Sequence, residues 1–97
     1  MTSLVHWFRR SGRRPPRLLL HGFTGATLSF ERLVDHLPMV ESIAALPLPG
    51  HHPEASVRNS FVENVDWIRG QLEEAGIERV RVCGYSLGAR LALGLLV

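Results

Sequence analysis

Gly84-Tyr85-Ser86-Leu87-Gly88 constrains this 97-residue chain more than any other stretch. A G-x-S-x-G pentapeptide is weak evidence by itself, and its neighbours give it meaning. Before it, Val80 and Val82 stand in a short β-branched run suited to a buried strand. After it, Leu87 to Val97 is apolar on nearly every side, as a buried helix would be. A serine between such a strand and such a helix occupies a tight turn that lifts its hydroxyl over the sheet edge. Gly84 and Gly88 suit the close approach of strand and helix that the turn requires. The helix N-terminus beneath Ser86 offers free N–H groups and positive dipole charge to a developing oxyanion. The competing interpretation is an ordinary Gly-rich strand-to-helix turn with a capping serine.

The rest of the chain alternates strand and helix. Leu4 to Phe8 reads as a strand, closed by the Arg/Gly/Pro cluster of residues 9–16. Arg17-Leu-Leu-Leu20 is a continuous apolar run, as expected of a central parallel strand covered on both faces. A loop over Phe23–Thr27 leads to a short helix expected to bury Phe30, Leu33, Val34 and Leu37 before Pro38 stops it. Ser42–Leu46 is the third strand, and Pro47–Pro53 is loop. Ser60 with Glu63 forms an S-x-x-E capping box, and Phe61, Val65, Ile68, Leu72 and Ala75 then fall on one helical face. Gly76 ends that helix, and Val80–Cys83 is the fourth strand. The pattern predicts an α/β fold with a parallel sheet of about four strands and crossover helices.

Composition narrows the class. Hydrophobic residues at 45% with 21% charged indicate a globular chain with room for one small domain. The formal charge of +2 conceals an asymmetry, because five of the eleven arginines lie at Arg9, Arg10, Arg13, Arg14 and Arg17. With no aromatic residues interleaved among them, these read as a solvated turn rather than a nucleic-acid or membrane contact. No run approaches the roughly 20 apolar residues of a membrane span. The single cysteine, Cys83, excludes an internal disulfide, suits a cytoplasmic setting and reads as a small core residue. No cofactor or metal is expected.

A serine nucleophile needs a base, an orienting acid and oxyanion donors. One donor is the N–H of Leu87, directly after the serine. The other comes from the loop after an earlier central strand, here His21-Gly22-Phe23-Thr24-Gly25, with Phe23 as the candidate because Gly22 lets the backbone turn inward. Leu20–Gly25, Leu48-Pro-Gly-His51 and Gly84–Gly88, in this order and spacing, resemble successive motifs of the α/β-hydrolase fold superfamily, spanning most of the chain. More narrowly, His21-Gly-Phe-Thr-Gly25 with Gly84-Tyr-Ser-Leu-Gly-Ala-Arg90 is similar to the 2-succinyl-6-hydroxy-2,4-cyclohexadiene-1-carboxylate synthases of menaquinone biosynthesis. That resemblance implies elimination of pyruvate from a multiply anionic substrate, with Ser86 acting through its triad as a base and with Tyr85 and Arg90 contacting substrate. A guanidinium one turn into the helix suits carboxylate binding; the plain alternative is a surface arginine. Pro47, His52 and Ala89 depart from the family pattern, which has Asp, Gly and Gly at those places, and the first two alter a loop beside the site.

The resemblance places the triad acid and histidine beyond residue 97. His51 and His52 belong to a structural loop, His6 and His36 read as packing or surface residues, and Glu63 and Asp66 read as the solvated face of the capped helix. The apolar end at Leu91–Val97, without a cap or turn signal, reads as a single domain incomplete after the elbow helix. Such a chain is expected to be inactive and marginally folded alone, and to self-associate through an exposed sheet edge. The alternatives to the synthase are a carboxylic-ester hydrolase of the same fold and a non-catalytic, partner-binding fragment. The expected partner is a small anionic or ester substrate, with neither nucleic acid nor membrane.

Overall fold

The computed structural model describes residues 3–11, 15–23 and 25–96. Strands β1 (His6–Arg9), β2 (Arg17–Leu20), β3 (Ile43–Leu46) and β4 (Arg81–Gly84) form one sheet in the order β1-β3-β2-β4. A 3-10 turn over Thr27–Phe30 leads into helix α1 (Glu31–Val34), followed later by α2 (Phe61–Glu74) and α3 (Leu87–Leu95). β2 is central and parallel to both neighbours, with Leu18 facing Ala44 on one side and Val82 on the other. The β1 strand differs from the other three: it runs antiparallel to β3 and carries a bulge between Trp7 and Arg9. Its link to β2 is too short for the crossover that a parallel pair needs, and β1 reaches β3 rather than β2.

The strand alternation sorts the core into two layers. Leu18, Leu20, Leu46 and Leu48 pack on one face against Val65, Ile68 and Leu72 of α2 and Leu91 of α3. Leu19, Ile43 and Ala45 pack on the other against Val34, with Phe8, Phe30 and Leu37 partly buried around them. All three leucines of β2 are fully buried, as an apolar run in a central strand should be. Gly76, at φ +74, closes α2 in the left-handed conformation expected of a C′ glycine.

Three expectations about burial change. Phe61 leaves the buried stripe of α2 and is 51% exposed, because the first helical turn leans over α3 at Gly94 instead of over the sheet. Leu33 is also exposed, since α1 is only one turn long and turns Val34 alone fully inward. Cys83 is exposed rather than core. It shares a sheet face with Leu19, and α1 covers that face over β2 and β3 but not over the edge strand β4.

The basic cluster is less solvated than its composition suggests. Arg17 makes a paired contact with Glu41 at 3.0 and 3.1 Å, and Arg81 from β4 reaches the same carboxylate at 3.3 Å. Arg9 donates to the carbonyls of Val34 and Leu37, and Arg10 stacks over the Trp7 ring. Arg13 and Arg14 lie outside the described residues. The Arg17 hydrogen bonds, aided by the charges of Arg17 and Arg81, hold the Glu41 carboxyl below its ordinary pKa. Replacing Glu41 by Gln should therefore lower the melting temperature by several degrees at neutral pH, by leaving two guanidinium groups against a neutral amide. A carboxylate with a depressed pKa stabilises fully above its ordinary value and loses that contribution as pH falls through the folded value. In a thermal-melt series the gap between wild type and variant should thus begin to narrow as pH falls below about 4.3, the ordinary Glu value, and close only below the lower folded value.

Candidate active site

The site is built where β2 and β4 lie side by side. Tyr85 N–H donates to the Leu20 carbonyl at 3.0 Å, which extends the β2–β4 pairing up to the elbow. Ser86 then takes φ 55°, ψ −112°, and among the described residues no other non-glycine residue has positive φ. A bulky or branched residue is strained there, so the backbone is held by what surrounds it. Helix α3 starts at once, with the N–H groups of Ala89 and Arg90 bonded to the Ser86 carbonyl.

Two glycines make this turn possible. A Cβ on Gly84 would stand 2.5 Å from the Gly88 carbonyl oxygen. A Cβ on Gly88 would fall on the carbonyl oxygens of Leu20 and His21, backbone atoms that have nowhere to go. The second explains the spacing: α3 passes directly over the end of β2.

The loop after β2 comes to the same place. Gly22 sits against the Tyr85 ring, and its Cβ would meet that ring at 2.9 Å. Phe23 and Leu87 line one cleft of about 420 Å³ together with Pro49, His51, Val57 and Phe61. Among the described residues, neither the Phe23 nor the Leu87 N–H has a hydrogen-bond acceptor. Thr24 lies outside the described residues. Ser86, Tyr85 and Arg90 are exposed, and no described histidine hydrogen-bonds the Ser86 hydroxyl. His51 packs edge-on against both His21 and Phe23, with ring centroids 4.9 and 5.7 Å apart.

The side chain that sequence reasoning passed over is His21. It is 1% exposed, and both ring nitrogens are engaged: Nε2 accepts Leu48 N–H at 3.1 Å, and Nδ1 lies 2.7 Å from the Gly22 carbonyl oxygen. Burial pushes its pKa below the ordinary value, with the Gly22 bond opposing and His51 adding to the shift. A polar ring directly after three buried leucines was the available signal, since such a group must find partners. Among the described residues no group of three or more His, Cys, Asp or Glu is placed to hold a metal, and no helix is long and apolar enough to cross a membrane.

A mostly parallel sheet with helices on both faces and a strained serine between β4 and α3 define the α/β-hydrolase fold, and this chain is related to the proteins that share it. No family model matches the chain. It is 32% identical over 80 residues to the 2-succinyl-6-hydroxy-2,4-cyclohexadiene-1-carboxylate synthase of Citrobacter koseri, a match covering 81% of this chain and 31% of the synthase. A probable serine hydrolase of Drosophila melanogaster is 34% identical over 86 residues, covering 84% of this chain and 26% of that protein. In structure it superposes on a marine microorganism esterase with a TM-score of 0.74 at 18% identity, over 92% of this chain and 35% of the esterase. The chain thus spans about a third or less of the length of these relatives.

Proposed function

We propose that this chain carries the nucleophile-elbow part of a serine-dependent α/β-hydrolase-fold active site, and that the reaction is the pyruvate elimination of the synthase it resembles. The observation that carries the reading is the left-handed backbone of Ser86, enforced by Gly84 and Gly88 beside the Phe23 loop. In this reading Ser86 is the reacting group. The N–H groups of Leu87 and Phe23, neither with an acceptor among the described residues, stabilise negative charge on the substrate oxygen. Tyr85 and Arg90, exposed around the serine, contact the substrate, with Arg90 pairing a carboxylate. The general base and its orienting acid come from residues outside these 97.

A second reading, ester hydrolysis, is favoured by one feature. The cleft beside Leu87 is lined chiefly by Phe23, Val57, Phe61, Leu87 and Leu91, apolar walls that suit an acyl or alkyl chain better than a polyanion. Arg90 separates the two. In the protein carrying this chain, Arg90→Ala should cost on the order of 2–5 kcal/mol in kcat/KM on the succinylated cyclohexene carboxylate, by leaving a substrate carboxylate without its partner. On a neutral ester the loss should be small. Equal losses on both substrates would argue for the hydrolase, as would an acyl group trapped on Ser86 by a slow ester.

A further inference from the structure

The peptide joining Gly22 to Phe23 is gripped from behind. Two groups converge on the Gly22 carbonyl oxygen: His21 Nδ1 at 2.7 Å and the Gly25 N–H at 2.9 Å. The other ring nitrogen assigns the proton. His21 Nε2 accepts the Leu48 N–H, so it presents a lone pair, and the neutral ring carries its hydrogen on Nδ1. His21 therefore donates to the Gly22 oxygen. A trans peptide is planar, with its C=O and N–H pointing in opposite directions. Anchoring the Gly22 carbonyl on one side consequently fixes where the Phe23 N–H points on the other.

We propose that His21 is a positioning residue, which holds the Gly22 carbonyl so that the Phe23 N–H is aimed at the oxygen gaining negative charge next to Ser86. The inference rests on the reading of Phe23 as an oxyanion donor. The surroundings agree with it. The Phe23 side chain is 73% exposed and meets His51 only edge-on, so the grip on this peptide comes from its carbonyl side. Gly25 is confined by the same ring, since a Cβ there would stand 3.1 Å from His21 Nδ1 and 3.0 Å from the Gly22 oxygen. The burial that disfavours a charged His21 keeps each nitrogen in its assigned role. The ionisable side chain facing the ring is His51, from the loop after β3.

Two substitutions divide the two bonds of the ring. His21→Asn places an amide N–H near the Nδ1 position and keeps the donor to Gly22. His21→Gln reaches the Nε2 position and keeps an acceptor for Leu48. The measurements are the imidazole nitrogen spectrum of the wild type, the Phe23 amide shift and melting temperature of each variant, and kcat and KM on p-nitrophenyl acetate in the full protein carrying this chain. The expected wild-type tautomer is Nδ1–H. His21→Asn should keep kcat within about threefold, whereas His21→Gln should lose about tenfold to hundredfold in kcat with little change in KM, as for a misaimed donor. The Phe23 amide shift should move in the Gln variant and stay in the Asn variant. An Nε2–H tautomer, or kcat losses that merely track melting temperature in both variants, would overturn the proposal. If His21→Gln does not fold, the tautomer and the Asn variant decide, and a tenfold loss in the latter counts against the clamp. Ser86→Ala is measured alongside. Turnover surviving that change sinks the reading of the site itself, while the tautomer and the Phe23 amide still judge the clamp.

Discussion

Replacing Ser86 by Ala should lower turnover by about three orders of magnitude or more if Ser86 is the reacting group proposed above, as loss of a group that acts with its partners as a unit does. The neighbouring Phe23 and Leu87 N–H groups would remain, so a small residue of rate is expected rather than none. Stability should hardly change, because the hydroxyl is exposed and makes no hydrogen bond among the described residues. Ser86→Gly offers a sharper version. At φ 55°, ψ −112° the serine backbone is strained, with a typical cost of about 1–3 kcal/mol, and glycine adopts such angles freely. The glycine variant should thus be inactive yet melt higher than the wild type. Activity retained in the alanine variant would remove the catalytic assignment; a glycine variant that melts lower would show that the elbow is not held under strain.

Gly88→Ala should be the most damaging added methyl group among the described glycines. Its Cβ would overlap the carbonyl oxygens of Leu20 and His21, and the obstacle is backbone of the central strand, not a side chain that can swing away. Overpacking of this kind costs typically about 1–3 kcal/mol and occasionally more, and this site belongs at the upper end. That is a large share of the roughly 5–15 kcal/mol that holds a whole domain together. Gly70→Ala is the matched control. Gly70 lies inside α2 with open space around its Cα, so alanine there should stabilise by about 0.5–1 kcal/mol. Chemical denaturation of the two variants in parallel reads both signs. Equal and small effects would mean that α3 does not press on the end of β2.

Much of this arrangement was legible in the residues because it is locally encoded. The Ser60–Glu63 capping pair and the i, i+3, i+4 spacing of Val65, Ile68 and Leu72 specify α2 without reference to the rest of the fold, and the helix begins and ends where they place it. Leu18–Leu20, apolar at every position, can only be a strand covered on both faces. The elbow was legible for a similar reason, since a glycine on either side of the serine records a close backbone crossing. Cys83, Phe61 and Leu33 were misplaced because burial depends on which element lies opposite, a fact no local pattern carries. Glu41 and His21 were passed over because their partners are distant in the chain: Arg17 and Arg81 in one case, and Leu48 in the other.

The amino-acid sequence by itself determined the order of elements, the α/β class and the presence of a serine elbow, since helix periodicity, strand hydrophobicity and glycine spacing are properties of neighbouring residues. Tertiary structure alone decided that β1 runs antiparallel on β3, that Glu41 ties β2 to β4 from below, and that His21 grips the Gly22 carbonyl. The first two depend on the lateral order of strands, and the third on the loop after β3 bringing the Leu48 N–H to His21 Nε2. Each joins residues 24 to 40 positions apart, so these hydrogen bonds and ion pairs exist only once the sheet has closed around β2.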